Sequence, residues 1–148
     1  MKIIAFSLWG TNEKYTLGAI KNAELAKELL SDWTCRFYVG KSVPKETILQ
    51  LSDFDNVQIV EVDEEGDWTG MFWRFLSADS YDVVLSRDVD SRITQREVSA
   101  INEWLDSDKD FHIMRDHPHH GTEILGGMWG CRNGILKGIT KWINDYSK

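Results

Sequence analysis

Asp88-Val89-Asp90 follows directly on an apolar run, Asp82-Val83-Val84-Leu85-Ser86. Asp-x-Asp occurs four times in the chain, at 53–55, 88–90, 106–108 and 108–110, so the spacing alone carries little and its placement decides. Only the pair at 88–90 follows a predicted strand. In open α/β sheets ligands bind beyond the carboxyl ends of the strands, and residues i and i+2 of an extended segment point the same way. Asp88 and Asp90 are therefore expected to converge. Two carboxylates about 5 Å apart repel by about 3 kcal/mol at an effective dielectric near 20, so they need a cation, an arginine or a shared proton. A divalent ion answers this most simply, and all-oxygen ligation favours Mg²⁺ or Mn²⁺ over zinc. The plainer alternative is a solvated turn pair. The flanking Arg87 and Arg92 favour a phosphate site.

Three further groups fit a site that holds a phosphorylated ligand. Arg74 is the one cation among Phe72, Trp73, Phe75 and Leu76, and reads either as a phosphate contact or as a snorkelling surface arginine. Leu8, Trp9, Gly10 and Thr11 end the first predicted strand, where an aromatic and a glycine suit a base and ribose, or a tryptophan packed at the sheet end. Arg115-Asp116-His117-Pro118-His119-His120 holds three of the four histidines. It matches no familiar zinc spacing and reads as a polar loop or an active-site loop, with Asp116 and His117 as candidate general bases or acceptor-orienting groups. Gly126-Gly127-Met128-Trp129-Gly130 could set backbone and an indole face against a sugar, Gly127 and Trp129 foremost, or be only a tight turn.

The elements that must position these residues alternate between β-branched runs and helical periodicity, the order of an α/β domain with a mostly parallel sheet. Strands are predicted over 2–8, 35–40, 57–62, 82–86 and 111–114. Helices are predicted over 15–30, from Pro44, over 71–78, from Thr94 and over 135–146. The helix start at Thr94 rests on a Thr94-x-x-Glu97 capping box and an Ile93–Val98 staple. The stretch 121–134 is glycine-rich and reads as loop. Val83, Val84 and Leu85 in succession suggest a strand covered on both faces.

The whole chain of 148 residues, 42% hydrophobic, suits one domain whose core needs no disulfide. Cys35 and Cys131 are isolated and read as buried thiols. Seventeen basic against 24 acidic residues give a net charge of −7, the wrong sign for nucleic acid or an anionic membrane. An anionic ligand then requires local cations. No apolar run approaches the roughly 20 residues of a membrane span, and no signal peptide opens the chain, so the expected location is cytoplasmic.

Taken together, Trp73-Arg74-Phe75, Ser86-Arg87-Asp88-Val89-Asp90-Ser91-Arg92, Arg96-Glu97, Trp104-Leu105, His112-Ile113-Met114-Arg115-Asp116-His117-Pro118 and Gly126-Gly127-Met128-Trp129-Gly130 resemble a small group of viral and bacterial glycosyltransferases of the GT-A fold. The likeness implies a GT-A-like (Rossmann-like) sheet flanked by helices and a single domain that binds a nucleotide-diphosphate sugar. It implies Asp88 and Asp90 as ligands of the metal that bridges the diphosphate, the loop from Leu8 to Thr11 on the nucleobase, and Arg74 on the donor. Gly126 to Trp129 would shape the sugar and acceptor side. Many members use a histidine far toward the C-terminus as a further metal ligand, and this sequence has none after His120, so His117, His119, His120 or water must substitute. The activity implied is metal-dependent transfer from a UDP-sugar or similar donor to a glycan hydroxyl. Two alternatives stand beside it: a catalytically silent nucleotide-sugar-binding module, and a phosphatase of the haloacid dehalogenase type. The phosphatase normally carries its Asp-x-Asp at the first strand and follows it with residues other than Ser91-Arg92.

Overall fold

In the computed structural model, which describes residues 1–80, 82–114 and 126–146, the β-branched and helical segments alternate as their periodicity predicts. Strand β1 (Lys2–Leu8) leads through helix α1 (Glu13–Leu29) to β2 (Thr34–Val39), then through α2 (Lys45–Ser52) to β3 (Val57–Glu61). A 3₁₀ segment (Trp68–Ala78) precedes β4 (Val83–Arg87), and α3 (Gln95–Leu105), β5 (Phe111–Ile113), β6 (Met128–Cys131) and α4 (Ile139–Tyr146) complete the chain. The capping box at Thr94 is present, with Thr94 and Glu97 each accepting from the other's backbone N–H. Tertiary packing tightens 68–78 into a 3₁₀ helix three residues longer at its start than the predicted helix, with Asp67 capping it through the Thr69 N–H.

The six strands lie in the order β3-β2-β1-β4-β6-β5. The first four run parallel, whereas β6 pairs antiparallel with both β4 and β5. The sheet is therefore mixed, which corrects the expectation of a mostly parallel one. It also corrects the reading of 121–134 as loop, since 128–131 is a strand. The reason is compositional: Gly130 must be a glycine, because a Cβ there would press on the Leu85 side chain and the Val84 carbonyl. A strand whose small residue is demanded by its neighbour shows no alternation to read.

Alternate residues of each strand feed two cores. On one face Ile4, Phe6, Leu8, Phe37 and Leu85 pack under α1, α2 and α3 through Ala19, Ala23, Leu51, Val98 and Ile101. On the other, Ile3, Ala5, Tyr38, Val84 and Trp129 meet Trp73 and Ala78 of the 3₁₀ segment, with Leu136 and Ile139 at the edge. Cys35 and Cys131 are free and buried, as expected, and burial pushes their thiols up to about 12 and about 11. No helix among the described residues is long and apolar enough to cross a membrane.

Candidate functional site

Chain direction reverses around β1. From β1 the connections run outward to β2 and β3, and the chain then returns to place β4 on β1's other side. At such a switch point the loops leaving the two central strands diverge and open a crevice at their carboxyl ends. A cleft of about 350 Å³ lies there, lined by Ser7 and Trp9 from the end of β1, by Asp88, Val89 and Asp90 from the end of β4, and by Tyr15, Trp68, Met71 and Arg74.

The two aspartates do meet in one cleft, each beside a cation. Arg74 Nη1 donates to Asp88 Oδ1 at 2.5 Å and to the Arg87 carbonyl at 3.0 Å. Lys14 Nζ lies 3.5 Å from Asp90 Oδ2. Arg74 is thus no snorkelling surface residue: its side chain is 5% exposed and its backbone N–H is held by Ser7 Oγ at 3.0 Å. Behind Asp88 runs the backbone of Gly127, so close that a Cβ built on Gly127 would fall on the carboxylate. Gly127 therefore belongs to the site as a wall against Asp88, since any side chain there would have to push the carboxylate aside.

Other expected site residues are placed elsewhere. Arg87 is one residue out of phase with Asp88 and so faces the α3 side. There it is buried, with Nε 3.4 Å from Glu97 Oε1, Nη1 donating to the Ser86 and Trp129 carbonyls, and Nη2 3.3 Å from His112 Nε2. It is a structural cation, not a lining residue of the cleft. Burial, and then the neighbouring Arg87 charge, hold His112 down to about 4, so its ring is neutral at pH 7 and accepts at Nε2 from the guanidinium. Burial also lowers Arg87 itself, against the pull of Glu97 and Asp88.

Leu8 is fully buried in the core beneath α1, and Thr11 is exposed outside the cleft. Gly10 takes φ +82° and donates its N–H to Ser42 Oγ at 2.7 Å, so of 8–11 only Trp9 lines the cleft. Trp129 is buried, its ring 5.5 Å from Phe75, beside a separate apolar hollow of about 550 Å³ that also takes in Phe72, Phe111, Ile113 and Ile139. Asp116 and His117 lie outside the described residues, as do His119 and His120.

Sequence reasoning missed several contributors, Lys14 beside Asp90 and Met71 in the lining among them. Tyr15 and Trp68 put further aromatic surface on the cleft. Asn22, fully buried on α1, donates to the Val89 and Ser91 carbonyls at 3.2 and 2.8 Å and accepts the Ile93 N–H at 3.1 Å, clamping the turn that carries Asp90. Gly18, one turn earlier, lets α1 approach until a Cβ would strike the Val89 carbonyl. The readable signal was Asn22 itself: it sits three residues after Ala19 and one before Ala23, a polar group on an apolar stripe that must be satisfied internally.

Asp88 and Asp90 fit Mg²⁺ or Mn²⁺ by donor type, since such ions take one or two protein carboxylates and complete their shells from phosphate and water. Among the described residues no group of three or more His, Cys, Asp or Glu is gathered to hold a metal. No protein-family model matches the chain, and no curated protein matches it significantly.

Proposed function

We propose that this chain is a metal-dependent glycosyltransferase of GT-A type that moves a sugar from a nucleotide-diphosphate donor, a UDP-sugar in the first instance, to a hydroxyl of a carbohydrate or glycan acceptor. One observation carries the reading: paired carboxylates, a buried arginine and aromatic surface share a single cleft at the switch point of an α/β sheet. That combination suits a ligand with a flat base at one end and a diphosphate at the other.

The division of labour follows from the lining. Trp9, Tyr15 and Trp68 offer apolar faces for the base and ribose. Arg74 supplies the planar, fixed charge that suits phosphate oxygens. Asp88 and Asp90 would hold Mg²⁺ or Mn²⁺, which when bound supplies Lewis-acid stabilisation of the charge that develops on the departing diphosphate. Arg74 holds Asp88 against the Gly127 backbone, and Asn22 fixes the turn beneath Asp90, so the carboxylates are oriented before the ligand arrives. In an inverting reaction Asp116 or His117 is the candidate to take the acceptor proton.

The charge balance of the cleft supports a second reading. With Arg74 on Asp88 and Lys14 on Asp90, both carboxylates already have counter-ions, as a metal-free nucleotide-sugar-binding module would need. A thermal-shift panel of nucleoside diphosphates with and without Mn²⁺ separates the two. The transferase predicts stabilisation by UDP that requires Mn²⁺ and disappears in Asp88→Ala and Asp90→Ala. UDP stabilisation indifferent to metal and to both substitutions, with no turnover of a UDP-sugar, would establish the module instead.

A further inference from the structure

We propose that the Arg74–Asp88 ion pair is a resting lock on the cleft: Arg74 occupies the cation position at Asp88 until a dication displaces it, and the freed guanidinium then takes the diphosphate. The identity of the ligands rests on the nucleotide-diphosphate reading above. The lock rests on geometry.

Three features converge. First, the Gly127 backbone packs directly against the Asp88 carboxylate, with no room for a Cβ between them. The Asp88 side chain is nevertheless 44% exposed, so a cation arriving from solvent reaches the same carboxylate that Arg74 holds at Oδ1. Second, Arg74 is anchored by its backbone to Ser7 but poorly satisfied at its head. A guanidinium has five N–H donors, and among the described residues Arg74 finds two acceptors, both through Nη1. Nε is buried with no partner among the described residues. Donors left unmade in a buried site are costly, so an arrangement that offers more acceptors is favoured. Third, Gly126 presents no side chain beside Nη2, and the head group also lies over the Phe75 ring, its Cζ 5.3 Å from the ring centroid, a contact that fixes no hydrogen-bond direction.

The pair at Asp90 is different in kind. Lys14 is well exposed and 3.5 Å from its carboxylate, so it exchanges with solvent ions at little cost. Asp88 alone is locked. It follows that metal and diphosphate bind weakly when offered separately: the metal must evict Arg74 without giving it a new partner, and the diphosphate finds Arg74 already engaged. Offered together, each relieves the other's cost, and by linkage the enhancement is the same seen from either ligand.

The test measures binding without turnover. Free Mn²⁺ is titrated by its electron paramagnetic resonance signal against the wild type, Arg74→Met and Asp88→Asn, with and without UDP. Arg74→Met is expected to bind Mn²⁺ alone about tenfold more tightly than the wild type, while UDP raises its Mn²⁺ affinity far less than it raises the wild type's. Asp88→Asn is expected to lose the site under both conditions. A wild type with an intact UDP-dependent Mn²⁺ site beside an Arg74→Met that binds Mn²⁺ no more tightly overturns the lock and leaves the functional reading standing. A wild type that binds no Mn²⁺ even with UDP overturns both. Should Arg74→Met fail to fold, the wild type still reports through its arginine Nε–H resonances, with Arg74 assigned by its absence from Arg74→Lys. The Arg74 signal is expected to move when Mg²⁺ and UDP are added together and to stay near its resting position with either alone; a signal that ignores the pair overturns the lock.

Discussion

At the scale of single residues, parity along β4 separates two charged systems only one position apart. Asp88 faces the 3₁₀ segment and the cleft, while Arg87 faces α3 and is committed to Glu97, His112 and two carbonyls. The two should answer differently to mutation. Glu97→Gln keeps a side chain able to complete the capping box but removes the counter-charge of a buried guanidinium, and is expected to cost about 3 kcal/mol in urea unfolding. Gly127→Ala should leave global stability closer to the wild type yet weaken UDP–Mn²⁺ binding about tenfold, or 1.4 kcal/mol, in a calorimetric titration, because the new methyl displaces Asp88. Asp88 and Asp90 were legible in the sequence because a run of Val83, Val84 and Leu85 fixes where the strand lies and therefore which way its end points. Arg87 was misread for want of the same parity step, since adjacent residues of a strand cannot share a face.

At the scale of elements, α1 is the scaffold of the site. Its narrow stripe of Ala19, Ala23 and Ala26, with Gly18 beside it, lets the helix lie close on the sheet, and Asn22 then reaches the turn after β4. Asn22→Ala would strand the buried Ile93 N–H and leave the Val89 and Ser91 carbonyls only the Arg92 guanidinium, for an expected loss of about 2 kcal/mol in denaturant unfolding. Binding that requires Asp90 should fall further than stability does. The alternation of strands and helices through β4 could be read directly, as could the capping box of α3, because each depends on nearby residues. Strand β6 could not, because Gly130 answers to Leu85 and Val84 across the sheet and Trp129 to Phe75, none of which is near in sequence. The same holds for Tyr15 and Trp68, aromatic residues on exposed stretches of helix that only the fold brings to one cleft.

At the scale of the whole molecule, the buried network under α3 ties stability to pH. His112 titrates near 4 in the folded chain and near 6.5 when unfolded, so between those values the unfolded chain binds a proton that the native state refuses. Its contribution is complete above about pH 6.5 and is lost as the pH falls toward 4, by about 2–3 kcal/mol. Unfolding free energies measured at pH 7 and pH 4.5 should show this slope, and His112→Gln should flatten it. The sheet order carries a further consequence, for biosynthesis. Strand β5 leaves the ribosome before β6, yet its ladder in the sheet is with β6, which alone lies between it and β4. A nascent chain that has emerged only as far as Met114 presents β4 as a bare sheet margin, a template for the wrong neighbour, until the closing strand slides in and seals it.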